Sequence, residues 1–182
     1  MATREFYAGL PRSERLGRLA RTPDDLAAAI HGRSGVELAR RPDPMNWSAV
    51  EIICHLRDIE EICMMRFRTM LAMDDPKVLV VGARPPNPAE WGLVGDEFPV
   101  DPDRWADERQ YARCDPGAAL TAFRRRRGES LALFDRLSPD QWERGCLHPT
   151  LGRVTFTDWT ALMPGHDDNH LDQLTRALTG RA

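Results

Sequence analysis

The stretch from Trp47 to about Met73 constrains the fold more than any other part of the sequence. No proline or glycine interrupts it, and its apolar residues occur on several sides of a helical projection. The pattern therefore predicts one long helix that packs against several neighbours at once. Its main apolar stripe consists of Ile52, Leu56, Ile59, Cys63, Phe67 and Met70.

The N-terminal part supplies one of these neighbours. Residues 1–10 are predicted to form a loose lead-in, and a helical pattern follows from Pro11 to about Gly32. Within that pattern, Thr22 and Pro23 have the form of a helix start, with Thr22 as the N-cap and Pro23 at the first helical position. The sequence therefore predicts either two helices or one kinked helix.

Two further helices are predicted in the second half of the chain. One begins with Asp115 as its N-cap and runs to about Leu137, and the last begins near Thr155. A kink is expected in the last helix at Pro164, because proline removes a main-chain donor and clashes with the preceding turn. Residues 146–154, before the last helix, read as an irregular or hairpin-like connection.

Prolines dominate residues 74–114, which cannot form a long helix and are unusually long for a connection within one domain. Four helical regions with little evidence of strands indicate an all-α protein. The sequence predicts a single domain over residues 1–182, folded as a four-helix bundle with a long proline-rich crossover between helices 2 and 3.

Composition narrows the possible functions. A net charge of −3 gives no global field that would attract nucleic acid or anionic lipid, so neither partner is expected. No apolar run approaches the roughly 20 residues of a membrane span, and no signal-peptide segment is present, which predicts a cytoplasmic protein. The four cysteines form no CxxC pair, and a disulfide framework is not expected.

Four consecutive arginines, Arg124 to Arg127, lie in the middle of the third helix. Because consecutive residues spread around a helix, the run is interpreted mainly as a solvated surface and not as a nucleic-acid patch. Arg127 is the exception, since it lies four residues from both Phe123 and Leu131 on the inward face. It is predicted to point into the core and to need a carboxylate partner there.

Two histidines four residues apart, His166 and His170, occupy inward positions of the last helix, where both rings leave the same face. His55 offers a third imidazole near the inner face of the longest helix. Three neutral imidazoles suit Zn²⁺, Ni²⁺ or Cu²⁺ and leave coordination positions open, which is the catalytic arrangement. The alternative is a set of buried histidines satisfied by hydrogen bonds. Asp58 and Asp167 are candidates for residues that orient the rings.

Motifs along most of the chain resemble those of the DinB-like superfamily. In the second helix they are Trp47, Ser48, Val50, Glu51, Ile52, His55, Leu56, Asp58, Ile59 and Glu60. In the last helix they are Thr155, Phe156, Asp158, His166, Asp167, His170, Leu171 and Gln173. Further matches include Arg66, Trp105, Tyr111, His148 and Pro149.

The resemblance implies a four-helix bundle with a long crossover and a divalent metal, often nickel or zinc, on His55, His166 and His170. It also implies a homodimer, and relatives that include thiol-dependent transferases using bacillithiol or mycothiol. The leading hypothesis is a metal-dependent enzyme acting on a small molecule, of the type of a thiol-dependent S-transferase that holds a low-molecular-weight thiol on the metal. The alternatives are a metal-dependent hydrolase and a non-catalytic metal-binding or dimerisation module.

Overall fold

Four long helices dominate the computed structural model, which describes residues 4–80, 83–93 and 101–181. They are α2 (Arg12–Ile30), α4 (Ala49–Ala72), α6 (Pro116–Asp135) and α8 (Phe156–Leu178). Four short α-helices accompany them in the described residues: α1 (Arg4–Ala8), α3 (Gly35–Ala39), α5 (Pro102–Glu108) and α7 (Pro139–Trp142). In the same part of the chain, two 3₁₀-helices span Pro88–Trp91 and Tyr111–Arg113. The predicted four-helix bundle is confirmed. None of the helices in the described residues has the length and apolar character that a membrane span requires.

The bundle has a crossed topology. Extensive contacts join α4 to α6, α2 to α8, α2 to α6 and α4 to α8, so the consecutive helices α2 and α4 occupy opposite corners. The apolar clusters at the two ends of the bundle show that α4 and α6 run in the same direction. A parallel pair needs a connection that returns along the bundle. This requirement accounts for the long segment between α4 and α6, of which residues 81–82 and 94–100 lie outside the described residues.

A buried polar layer separates the two apolar ends. One apolar cluster contains Leu26, Ile52, Ile53, Phe123 and Leu174, and the other contains Leu19, Phe67, Phe134, Phe156 and Trp159. Between these clusters, each long helix contributes at least one buried polar residue: Thr22, Glu60, Arg127, Ser130 and Asp167. The layer places the inward-facing polar side chains of all four helices at one level.

α2 is a single helix with Pro23 inside it, so the prediction that Thr22 caps a helix is wrong. Proline at this position cannot donate to the carbonyl of Leu19 four residues earlier. That carbonyl instead accepts a hydrogen bond of 3.0 Å from Nη1 of Arg127. The Thr22 hydroxyl donates to Asp167 Oδ2 at 2.6 Å, so a residue that looks like a cap in the sequence joins α2 to α8.

The N-terminal segment also differs from the prediction of a loose lead-in. Residues 4–8 form α1, which packs against α8. The buried Tyr7 hydroxyl donates to Asp168. A helix of five residues is too short to show a 3.6-residue period, and its partner lies near the other end of the sequence. Residues 1–3 lie outside the described part.

The connection before α8 is a β-hairpin, as the hairpin-like prediction proposed. β1 (Gly145–His148) pairs antiparallel with β2 (Gly152–Thr155). Gly152 has a φ of 73°, a conformation that glycine adopts without strain, and it closes the turn. Thr155 then caps α8 in a reciprocal capping box with Asp158, which fixes where the helix begins. α8 continues as a helix through Pro164 to Leu178.

Candidate metal centre

The three predicted histidines meet inside the bundle. His55 comes from α4, and His166 and His170 come from successive turns of α8. One ring nitrogen from each residue lies within 4.8 Å of the other two. His55 and His170 are buried, whereas the His166 side chain is 37% exposed. The cluster is therefore anchored in the core and open to solvent on one side.

Hydrogen bonding determines which nitrogens are free. Nδ1 of His170 lies 2.8 Å from Gln173 Oε1, and since an amide oxygen can only accept, Nδ1 carries the proton. The lone pair on Nε2 of His170 then faces Nε2 of His166 at 3.2 Å. His55 has no hydrogen-bond partner among the described residues. The alternative interpretation, in which the histidines satisfy one another by hydrogen bonds, therefore accounts for His166 and His170 but not for His55.

Burial keeps two of the rings neutral. Removal from solvent, reinforced by the neighbouring imidazoles His170 and His166, lowers the pKa of His55 to about 2. Burial, together with His166, lowers the pKa of His170 to about 3. Neutral imidazole is the form that binds metals. Two nitrogens held tetrahedrally at about 2.0–2.1 Å from one ion are about 3.3 Å apart, close to the spacing of the His166 and His170 pair. The donor set therefore fits a metal ion.

Asp58 does not orient an imidazole, contrary to expectation. Its carboxylate accepts hydrogen bonds from Arg57, Arg109 and Tyr111, and Arg126 lies 3.2 Å away. Burial alone would raise the pKa of Asp58, but these donors lower it to about 2. Asp58 therefore holds α4 to α6 and to the segment that precedes α6.

Asp167 lies beside one ring, with its Oδ1 4.0 Å from Nδ1 of the adjacent His166. Its shorter hydrogen bonds come from Arg127 and Thr22. The closest hydrogen bond to a ring comes from Gln173, which appeared in the sequence motif without an assigned role. The sequence does contain a signal for this contact, because Gln173 follows His170 by three residues and so lies about one helical turn away on the same face.

The prediction that Arg127 points inward toward a carboxylate is confirmed. Its guanidinium pairs with Asp167 at 2.6 Å and with Glu60 at 2.9 Å. Ser130 donates to the other oxygen of Glu60 at 2.7 Å. The other three arginines of the run lie on other faces of the helix: Arg124 pairs with Asp24, Arg125 with Glu129, and Arg126 with Asp58 and Glu61.

A cavity of about 350 Å³ adjoins the histidines. This volume is at the lower end of the range for small-molecule sites, roughly 300–1,000 Å³. The Trp47 ring stacks on His170 at an interplanar angle of 11° and lies 5.0 Å from His55, which covers the rings on one side. Apolar side chains line most of the remaining wall: Leu56, Ile59, Val80, Pro102, Trp159, Leu162 and Met163.

The fold and the histidine cluster define a helical-bundle protein with a candidate metal site. Comparison with known proteins identifies the family to which the chain belongs. The model of the DinB superfamily matches residues 18–174, and the chain belongs to that superfamily.

One relative is "Putative metal-dependent hydrolase YfiT" of Bacillus subtilis (strain 168). It is 22% identical over 158 residues, which cover 86% of this chain and 78% of the relative. The chain is also similar to a solved structure of YfiT from Bacillus subtilis, described as a probable metal-dependent hydrolase with an unusual four-helix bundle topology. The TM-score is 0.74 at 20% identity, covering 94% of this chain and 89% of the other. This structural match supports the crossed helical bundle.

Proposed function

We propose that His55, His166 and His170 bind one divalent metal ion, and that the protein is a metal-dependent enzyme acting on a small molecule in the adjoining cavity. The observation that supports this proposal is the convergence of three imidazole nitrogens at the edge of a mostly apolar cavity. Zinc and nickel are the metals that we propose first, because neutral imidazoles suit both.

The residues around the cluster have defined tasks in this proposal. Gln173 holds His170 in the tautomer that presents Nε2. Trp47 limits the access of water to His55 and His170 from one side. When bound by three protein ligands, a divalent ion supplies Lewis-acid chemistry and lowers the pKa of water or of a thiol.

We infer that hydrolysis is the first reaction to test. The description of YfiT as a metal-dependent hydrolase supports it, as does a site with three protein ligands. Glu60 and Asp167 also line the cavity, but both are paired with Arg127. We therefore assign neither of them as a general base.

Thiol transfer is the second candidate, supported by the resemblance to thiol-dependent transferases. Cys63 lines the cavity, but burial raises the pKa of its thiol to about 11. A reactive thiolate would therefore have to come from a small thiol cosubstrate and not from this side chain.

Activity of tag-free, metal-loaded protein tests both reactions. We expect turnover of a chromogenic nitrophenyl ester if the protein is a hydrolase, and thiol-dependent loss of an aryl halide if it is a transferase. His55→Ala should abolish either activity, whereas His31→Ala, at an exposed position, should not. A protein that binds no zinc or nickel after loading would contradict the proposal and favour a non-catalytic module.

A further inference from the structure

A buried cation that has no acidic partner among the described residues lines the same cavity as the histidines. Arg66 on α4 is only 6% exposed. No carboxylate of the described residues lies within ion-pair distance of it, whereas Arg127 pairs with both Glu60 and Asp167. A buried guanidinium is costly when it lacks a compensating charge. Burial accordingly lowers the pKa of Arg66 from its usual value.

The Arg66 guanidinium has unused donors. Its Nε donates to the carbonyl of Leu79 at 3.0 Å, and its Nη2 donates to the same oxygen. The guanidinium also lies beside the Cys63 thiol and 5.6 Å from the centre of the Trp159 ring. Because it carries five N–H groups, these contacts still leave donors for another acceptor. Its titratable neighbours are the imidazole of His148, whose pKa is lowered by burial and by Arg66, and the thiols of Cys63 and Cys146, whose pKa values are raised by burial. Neutral thiols do not balance the charge.

His148 adds a second donor to the cavity wall. Its Nδ1 accepts hydrogen bonds from the backbone N–H groups of Thr150 and Leu151, both at 3.2 Å. The proton of the neutral ring must then reside on Nε2. His148 is 7% exposed and lines the cavity with Arg66, so it contributes a donor and not an acceptor.

The charges around the cavity favour an anionic ligand. Among the described residues that line it, Arg66 and Arg127 are positive and Glu60 and Asp167 are negative, so the formal sum is zero. Both acids are engaged by Arg127. A divalent ion on neutral imidazoles would raise the sum to two positive charges. Among the described residues that line the cavity, no negative group is therefore left for Arg66.

We propose that Arg66 and His148 form an anion-binding subsite, and that the substrate is a small, largely apolar molecule bearing a carboxylate. The carboxylate would pair with Arg66 while the reacting group faces the three histidines. Arg66 is the one cation lining this cavity of about 350 Å³ that lacks an acidic partner within the described part of the chain, and one such charge suits a monoanion better than a phosphate dianion. The orientation of the reacting group rests on the proposed function, whereas the subsite itself requires no metal.

Calorimetric titration with benzoate, uncharged benzamide and inorganic phosphate tests the subsite. Each probe is titrated into zinc-loaded protein and into protein treated with a chelator. We expect benzoate to bind at least about tenfold more tightly than benzamide in both forms, and phosphate to bind more weakly than benzoate. Arg66→Gln should weaken benzoate binding by about tenfold or more. Arg68→Gln, an exposed position on the same helix, should leave it unchanged.

The assignment would be overturned by no benzoate binding, by equal binding of benzoate and benzamide, or by benzoate binding that Arg66→Gln leaves unchanged. Benzoate binding that disappears with zinc removal would instead place the carboxylate on the metal. Tighter binding of phosphate would contradict the carboxylate assignment.

Because Arg66 also anchors Leu79, thermal unfolding must show that Arg66→Gln is folded. If it is not, the comparison of benzoate with benzamide on the wild-type protein and on Arg66→Lys decides the question. Loss of metal binding in His55→Ala concerns the metal proposal alone, and Arg66-dependent benzoate binding to metal-free protein stands independently of it.

Discussion

Two polar clusters occupy the middle layer of the bundle and differ in how far their members satisfy one another. In the first, Arg127 is bonded to Glu60, Asp167 and the Leu19 carbonyl, and these partners come from the three other long helices. In the second, His170 is held by Gln173, His166 is half-exposed, and His55 has no partner among the described residues. Both clusters line the same cavity.

The difference separates a structural site from a binding site. The Arg127 cluster is internally paired and replaces the hydrogen bond that Pro23 removes from α2, so it stabilises the fold without a ligand. The histidine cluster places one ring nitrogen from each of three residues within 4.8 Å of the others, and His55 has no hydrogen-bond partner among the described residues, so the cluster can accept a ligand. Substitutions in the first cluster should therefore affect stability, and those in the second should affect metal affinity.

Arg127→Met should give the largest loss of stability. It leaves Glu60 and Asp167 buried without a counter-charge, and breaking a buried pair in this way costs about 3–5 kcal/mol. Urea unfolding of metal-free protein measures the loss. Arg125→Met is the matched control, because the ion pair of Arg125 in the described part of the chain is an exposed one with Glu129, and its loss should cost less than about 1 kcal/mol. Equal losses in the two variants would contradict the structural role of the cluster.

His166→Ala should lower metal affinity and leave the stability of the metal-free protein nearly unchanged. We expect metal affinity to fall by more than about 100-fold, beyond the range for removing an outer hydrogen bond. Stability of the metal-free protein should change little, because the ring is half-exposed and contacts mainly its partner rings. Competition with a chromophoric chelator measures the affinity, with His31→Ala as the control. An unchanged affinity would remove His166 from the site.

Gln173→Leu should weaken metal binding by a smaller factor, about 10- to 100-fold, since His170 loses the acceptor that fixes its tautomer. Gln173→Glu retains an acceptor oxygen and should recover most of the affinity. The same chelator competition applies to both variants. If Gln173→Leu binds metal as the wild type does, the hydrogen bond has no influence on the site.

Asp58→Asn should produce the smallest effect, a loss of about 1.5 kcal/mol at neutral pH with metal affinity unchanged. Its pKa is lowered from 3.8 to about 2, so the charged form stabilises the fold fully above pH 3.8. This contribution is lost as the pH falls toward about 2. The free energy of unfolding, measured for variant and wild type at pH 7 and at pH 3, should differ less at pH 3. An equal difference at the two pH values would contradict the stabilising role of the charged Asp58.

Local patterns in the sequence predicted the parts of the structure that depend on helical spacing. The inward position of Arg127 and the shared face of His166 and His170 both follow from the helical period. The misassigned residues have distant partners: Thr22 bonds to Asp167 on α8, and Tyr7 bonds to Asp168. Asp58 was misjudged because its arginine and tyrosine partners lie beyond α4. The homodimer, the thiol cosubstrate and the cytoplasmic location stay predictions.

X-ray absorption spectroscopy of the zinc-loaded protein tests the central claim most directly. We expect one zinc ion with three imidazole nitrogens at about 2.0–2.1 Å and a spectrum that changes in His166→Ala. Sulfur ligands at about 2.3 Å, or a spectrum unchanged by that substitution, would contradict it.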